Sequence, residues 1–450
     1  MSCAYYLAQM GYYPTVFEKN EKPGGMLTYG IPSYKLEKNV IDAEIDIMRE
    51  MGVEIKCGVE VGKDITIDQL RAEGYKAFYV AIGCQGGKIP NVVGSDAEGV
   101  TTAVDFLKVA NCGGYAVKGK TIVVGGGNVA IDAARVSVRS GAKEVAMYCL
   151  ETRDIMPASN EEIAEAQEDG VAINCGWGPK EVIVENGKAV AVVFKKCLSV
   201  FDENNRFNPV YDEKETQTVA CDNVIFAIGQ TIVWGDLLKG SKVEFGRGNR
   251  PVADTLTYQT AEEDIFVGGD VFTGPKFAID AIAQGHEAAE SLHRYVQHGH
   301  MTIGRNRRQF IQIDTDDIKV ESYDNSSRQE AGMDESIDAK SFKDAHKTLT
   351  EEQVKTETSR CLGCGVTVVD VNKCIGCGIY TTKCKFDAIT LHRDYPEASK
   401  MVVAEDKFKS ILPYAAKRAV KILFSKKDDA DKEFVKKRKE EFEKKKENKD

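Results

Sequence analysis

The sequence has no run of eighteen apolar residues, which excludes a helical membrane span. Residues 1–13 carry no basic start and no small-residue cleavage site, so they read as a helix rather than a secretory signal. Histidine is scarce: the six residues show no metal-ligand spacing and no Ser–His–Asp or Cys–His arrangement, which argues against hydrolytic chemistry. Positive charge is in deficit, with Lys+Arg at 60 against Asp+Glu at 70. The net charge of -10 argues against non-specific nucleic-acid binding. No C-x2-C or C-x4-C dithiol occurs before residue 361, which argues against a disulfide reductase.

What is present suits a soluble protein of two or three domains: 450 residues, 42% hydrophobic, 29% charged. The 40 glycines suggest many tight turns, as nucleotide-binding α/β folds need. Of 13 cysteines, five crowd between Cys361 and Cys384, and the others are mostly single residues in apolar contexts. That distribution favours a reducing cytoplasm and a metal or cluster site near the C-terminus.

Hydrophobic periodicity predicts a helix over Ser2–Met10, ended by Gly11, and a strand over Pro14–Glu18 that closes on an acid. The glycine-rich segment Pro23-Gly24-Gly25-Met26 follows, then a helix over Val40–Met51 and a buried-type strand over Ala77–Gly83. A second unit starts with a strand at Thr121–Val124, a turn at Gly125-Gly126-Gly127, a helix over Val129–Arg139 and a strand over Glu144–Leu150. Residues 180–229 turn to β, with Asn186-Gly187 as a hairpin turn, and Asn223–Gly229 repeats the strand-to-glycine pattern of Gly83. Asp264–Asp270 is another strand, followed by a helix from Ala278 to Tyr295. Residues 299–355 read as a partly ordered linker. Phe408–Phe424 reads as a helix packing its apolar face on its own protein, and the tail after it as a charged helix or disordered segment.

The pattern Gly125-x-Gly127-x-x-Ala130 sits between a strand and a helix, where dinucleotide binding needs it. The first glycine permits the tight turn, the second lets backbone approach a pyrophosphate, and a small residue at 130 allows close helix–strand packing. Asn128 opens the helix whose N-terminus favours phosphate charge. Glu151, at the end of the next strand, suits a ribose 2′-hydroxyl and so NAD(H), whereas Arg153 suits a 2′-phosphate. The other reading is a glycine-rich turn with no ligand. The first unit shows only the second half of such a site. Glu18 ends a strand after a helix, yet no strand and no glycine turn precede Ser2. The expectation is a truncated gene, or a split protein whose missing piece lies on another chain.

Glu18, Gly24-Gly25-Met26-Leu27, Tyr29-Gly30-Ile31-Pro32, Ala81-Ile82-Gly83, the 125–130 turn, Arg153-x-x-Met156-Pro157-Ala158, Ala227-Ile228-Gly229 and Gly269-Asp270 occur in one order. Over residues 1 to about 298 that order resembles the small (β) subunit of glutamate synthase and its FAD- and NAD(P)-dependent relatives. The resemblance implies an α/β fold with two Rossmann-like domains and a small C-terminal ferredoxin-like α+β segment. The FAD-binding domain would be split, residues 1–112 and 250–298, with an NAD(P)-binding domain at 113–249 inserted. It further implies that Glu18 binds the FAD adenosine ribose, that Gly24 and Gly25 lie against the flavin side, and that Asp270 meets the ribityl chain. Gly83, Gly229 and Gly269 would line the cofactors. No individual catalytic acid or base is expected, because the protein positions and the cofactors react.

The cysteines read Cys361-x2-Cys364, then Cys374-x2-Cys377, then Cys384. The second half resembles a bacterial ferredoxin run, except that Tyr380 stands at the third cysteine position. A single [4Fe–4S] cluster can draw on these five thiolates, in the segment 356–396, and the tetrahedral alternative is zinc. The reading as a whole is a module passing electrons from NAD(P)H through FAD and a cluster to an electron-acceptor protein or larger subunit. Its rival is a non-catalytic remnant or assembly subunit that retains nucleotide binding.

Overall fold

The computed structural model describes residues 1–305, 324–361, 404–424 and 436–440, apart from positions 115 and 339. The described residues group into two compact units. One contains 1–305, 332–347 and 438–440, the other 324–331, 348–361, 404–424 and 436–437.

In the first unit, a continuous β-branched run makes Lys120–Val124 the centre of a five-stranded parallel sheet. Its order is Val100–Thr102, Asn223–Phe226, Lys120–Val124, Glu144–Cys149, Ala172–Cys175. Val123 and Ile225 contact the helix layer of Asn128–Arg139 and Asn160–Glu168. Ile131 and Ile163 are both fully buried there, and each such side chain stabilises the fold by about 1.5–3 kcal/mol. The opposite face, Ile122, Val124 and Phe226, packs against Val192 and Phe194 of a three-stranded antiparallel sheet. That sheet has the order Phe207–Ala220, Lys188–Phe201, Trp177–Glu185. Its hairpin turns at Asn186 and Gly187, both at positive φ (50° and 82°), as an Asn-Gly turn requires.

The flanking regions form two separate parallel pairs: Thr15–Glu18 with Glu54–Cys57, and Phe78–Val80 with Ile265–Val267. The outer edge of Ile265–Val267 is covered by the 258–260 turn, through Val267 N–H to Tyr258 O (2.9 Å) and Thr260 N–H to Ile265 O (3.0 Å). Among the described residues no strand pairs with the second edge of Thr15–Glu18 or of Phe78–Val80. Helix Ser2–Gln9 packs on helix Ala278–Val296, burying Cys3 with Phe266, Ala288 and Leu292. The crossing is close enough that a Cβ on Gly285 would lie 2.8 Å from Ser2 Cβ.

The chain passes between these regions along a two-stranded antiparallel ribbon, Gly86–Gly87 with Gln230–Thr231. Val100–Thr102, which follows the ribbon, hydrogen-bonds into the five-stranded sheet beside Asn223–Phe226. The expected linker also carries structure. Residues Glu351–Ser359 form a helix, opened by a capping box in which Thr350 and Gln353 each bond the other's backbone. On helix Lys407–Phe424, the described side chains of Phe408 and Tyr414 are 79% and 78% exposed. From the charged tail, Arg438 pairs with Glu54 at 2.6 Å and reaches Thr15 Oγ1 at 2.8 Å. No described helix is long and apolar enough to cross a membrane.

Candidate nucleotide and flavin sites

The turn after Lys120–Val124 is set by backbone geometry. Gly125 has φ +145°, and a Cβ there would lie 2.5 Å from Ala227 O, so only glycine fits without displacing backbone. Its N–H donates to Tyr148 O (2.8 Å), tying the turn to the neighbouring strand. A Cβ on Gly126 would meet Glu151 Oε2 at 2.8 Å and Cys149 Cβ at 3.1 Å. Gly127 faces open space and stands at the helix N-cap, where no side chain satisfies the first turn. A phosphate fits such an end, because helix N–H groups and the helix dipole both favour an anion. Ala130 is fully buried, as close helix–strand packing needs. Asn128 lends its Oδ1 to Ser159 N–H (3.0 Å), fixing the segment that follows Met156-Pro157.

Glu151 lies where the strand Glu144–Cys149 ends, beside the turn, and its backbone O accepts from Gly176 N–H (2.9 Å). Arg153 lies two residues on in a short 3-10 helix, exposed, with Nη1 on Asn160 Oδ1 (3.2 Å).

Glu18 also ends its strand, and its Oε1 accepts from both the N–H and the Nδ2 of Asn20 (2.8 and 2.7 Å). Asn20 in turn accepts from Lys108 Nζ at 2.8 Å. Gly24 holds φ +112°, and a Cβ there would run into Thr28 Oγ1, while Gly25 holds φ +56° beside open space. A cavity of about 210 Å³ lies among Asn20, Gly25, Tyr29, Gln85 and Lys108. Gly83 (φ +69°) and Gly229 (φ +122°) end strands on the two sides of the ribbon, and Lys88 N–H donates to Gly229 O at 3.2 Å. Gly269, at φ +70°, donates its N–H to the buried Gln284 Oε1 (2.8 Å). Asp270 accepts from Lys276 N–H at 3.1 Å, and burial, aided by Asp280, raises its carboxyl above the usual range. These residues fit the ribose, flavin-side and ribityl contacts of a bound FAD. The pyrophosphate turn such a cofactor needs is not among the described residues.

Sequence reading missed the cluster that joins the two regions. Lys35 Nζ, from the flavin-side region, meets Asp132 Oδ1 at 2.5 Å and also pairs with Glu162. Burial lifts the Asp132 carboxyl to about 6, against the pull of Lys35. The ring of Tyr34 lies under the guanidinium groups of Arg135 (4.8 Å) and Arg139 (4.1 Å). Both arginines share Asp169, at 2.7 and 2.5 Å. The available signal was three charged residues, Asp132, Arg135 and Arg139, on a helix that packs against the core. Sequence alone does not name their partners.

Of the cysteine cluster, Cys361 is described and exposed, while Cys364, Cys374, Cys377 and Cys384 lie outside the described residues.

A family model described as "Pyridine nucleotide-disulphide oxidoreductase" matches residues 1–285. The chain is 34% identical over 310 residues to the "Glutamate synthase [NADPH] small chain" of Halomonas elongata, covering 66% of this chain and 66% of that protein. It is 36% identical over 294 residues to the "NAD-dependent dihydropyrimidine dehydrogenase subunit PreT" of Escherichia coli O157:H7, covering 65% and 64%. The chain thus spans just under two thirds of these relatives' length. Among solved structures, Mycobacterium tuberculosis FprA in complex with NADPH superposes with a TM-score of 0.56 at 16% identity, over 66% of this chain and 82% of that one. That likeness shows the two-domain fold in which the five-stranded sheet is inserted. With its glycine turn, its interrupted second sheet and a family match over more than half its length, this chain belongs to the pyridine nucleotide-disulphide oxidoreductase family.

Proposed function

We propose that this chain is an NAD(P)H-dependent flavin oxidoreductase module that delivers electrons to a partner protein. The observation that carries it is the Gly125–Ala130 turn, whose Gly125 is required by backbone contact and whose helix end is left uncapped by side chains. Gly125, Gly127, Asn128 and Ala130 would hold the pyrophosphate of NAD(P)H, and Glu151 its adenosine ribose. Glu18 would hold the FAD ribose, Gly24 and Gly25 the flavin side, and Asp270 the ribityl chain. Gly83, Gly229 and Gly269 leave room for close approach. FAD, when bound, supplies the hydride-accepting chemistry, and the protein supplies orientation and exclusion of water. Four of Cys361, Cys364, Cys374, Cys377 and Cys384 would hold one iron–sulfur cluster, with zinc as the alternative metal. The relatives are named as a small chain and a subunit, so a larger electron-accepting subunit is the proposed partner.

The test is an anaerobic titration of FAD-loaded protein with NAD(P)H, followed by addition of a one-electron dye. Bleaching of the flavin band and its return with the dye are expected. Flavin that stays oxidised under excess NADH and NADPH would refute the reading. A second reading, a nucleotide-binding subunit without flavin, draws on the unpaired edges of Thr15–Glu18 and Phe78–Val80 among the described residues. Flavin content after saturation with FAD decides between the two.

A further inference from the structure

We infer that Cys149 and Cys175 are an oxidisable thiol pair, and that a disulfide between them clamps the segment bordering the glycine turn. The two cysteines end parallel strands, Glu144–Cys149 and Ala172–Cys175, and the register sets them directly opposite each other. Residues opposite in register share one face of a sheet, and both side chains pack into the core cluster that contains Ile163 and Val171. Both are free thiols, within hydrogen-bonding reach of each other. Neighbouring strands stand about 4.8 Å apart, inside the Cα separation of about 4.4–6.8 Å that disulfides span. Among the described residues no other strand register opposes two cysteines. Cys57 stands opposite Glu18, and Cys197 opposite Tyr211.

The pair sits against the turn. Cys149 Cβ lies 3.1 Å from the Cβ position of Gly126, and the Cys149 thiol donates to Glu151 O at 3.7 Å. Glu151 O also accepts from Gly176 N–H (2.9 Å), the residue after Cys175. The loop that a Cys149–Cys175 bond closes contains helix Asn160–Glu168 and Ser159, whose N–H donates to Asn128 Oδ1 (3.0 Å). Such a bond stabilises the fold chiefly by restricting the unfolded chain. No spacing motif marks the pair in the sequence, because a helix separates the two strands.

The oxidant is a low-molecular-weight disulfide. Cys175 is half-buried and Cys149 buried, so Cys175 is the thiol the reagent reaches. Burial first, and then the neighbouring Cys175, raises the Cys149 thiol well above its ordinary range, which makes it the slower of the two to react. As a thiolate, Cys175 Sγ attacks one sulfur of the reagent. The reagent's S–S bond breaks, and its other half leaves and takes up the proton that Cys175 lost. Cys149 then gives up its proton and attacks Cys175 Sγ, expelling the second half, which takes that proton. The protein loses two electrons and two protons, and the reagent becomes two thiols.

Peptide mapping reads the bond directly. Full-length protein, reduced and freed of reductant, is treated with cystamine, unfolded, alkylated with iodoacetamide and digested with trypsin without reduction. Cleavage after Lys143, Arg153 and Lys180 places Cys149 in peptide 144–153 and Cys175 in peptide 154–180, with no other cysteine in either. We expect the two peptides to appear joined, short of two hydrogens, and to separate on adding dithiothreitol. Oxidation should also raise the denaturant midpoint of unfolding, and Cys175→Ser should lose both the joined peptide and the rise. Peptides that stay alkylated at a cystamine excess that consumes the exposed Cys361 overturn the pair. So does Cys175 joined to Cys197, or left as a mixed disulfide with the reagent. An unchanged midpoint in the joined protein, or a rise that persists in Cys175→Ser, overturns the clamp. Should Cys175→Ser not fold, the map of the unaltered protein decides. The test needs neither flavin nor nucleotide, so its failure leaves the electron-transfer reading untouched.

Discussion

The two nucleotide-handling regions of the first unit are built from the same kind of parts, but among the described residues their sheets differ in continuity. In the nucleotide region five parallel strands run without interruption, and strand, glycine turn and helix follow one another at Lys120–Arg139. In the flavin-side region the sheet is present as two pairs, and the second edges of Thr15–Glu18 and Phe78–Val80 are without a partner strand among the described residues. Glu18 and Glu151 both stand at strand ends, and among the described residues only Glu151 has strand, glycine turn and helix beside it in one piece, as a phosphate cradle needs.

The comparison is broken most severely by Gly125→Ala. The new methyl would meet Ala227 O at 2.5 Å in a backbone conformation of φ +145°. Strain of about 2–3 kcal/mol is expected. NADH binding by fluorescence titration should be lost while FAD content is retained. Loss of both would mean that the two regions do not act separately.

Next in size is Lys35→Met, which removes the cation from the Asp132 pair between the regions. Breaking a buried pair costs about 3–5 kcal/mol. Here protonation of Asp132 limits the loss, so about 2–3 kcal/mol is expected in denaturant unfolding. Burial of the Asp132 carboxyl also sets a pH dependence, which Lys35 opposes. The Asp132 carboxyl is raised to about 6 from its ordinary 3.8. The folded state therefore binds its proton more tightly than the unfolded state. The stability it contributes is fully present below about pH 4 and lost as pH rises through about 6. Asp132→Asn should flatten that decline in unfolding midpoints measured across the same range. A decline unchanged in the variant would assign it to another group.

The smallest effect sharpens the flavin-side region. Thr66 and Gln69 form a capping box at the helix Ile67–Ala72, with Gln69 N–H on Thr66 Oγ1 at 3.2 Å. Thr66→Ala should cost about 1 kcal/mol in unfolding and leave NADH binding untouched.

Much of this was legible in the sequence because local rules govern it. The Gly125 turn, the Asn186-Gly187 hairpin and the helix after Ala278 each follow from spacing or turn chemistry over a few residues. Pairings between distant residues were not legible. Lys35 with Asp132, Tyr34 beneath Arg135 and Arg139, and Gln284 on Gly269 join positions whose separation carries no sequence period. The sheet that Val100–Thr102 joins was not legible for the same reason. The short strand Val100–Thr102 looks alike whichever sheet it joins, and its partner Asn223–Phe226 lies more than 100 residues away. The capping box at Thr350 was local and readable, yet the polar composition around it concealed the helix.

The central claim is that the Gly125–Ala130 site is complete in itself. Its most direct test is titration of flavin-free protein with NADH, followed by nucleotide fluorescence. One NADH bound per chain, at an affinity little changed by adding FAD, is the predicted result. Nucleotide binding that occurs only after FAD is loaded would contradict it.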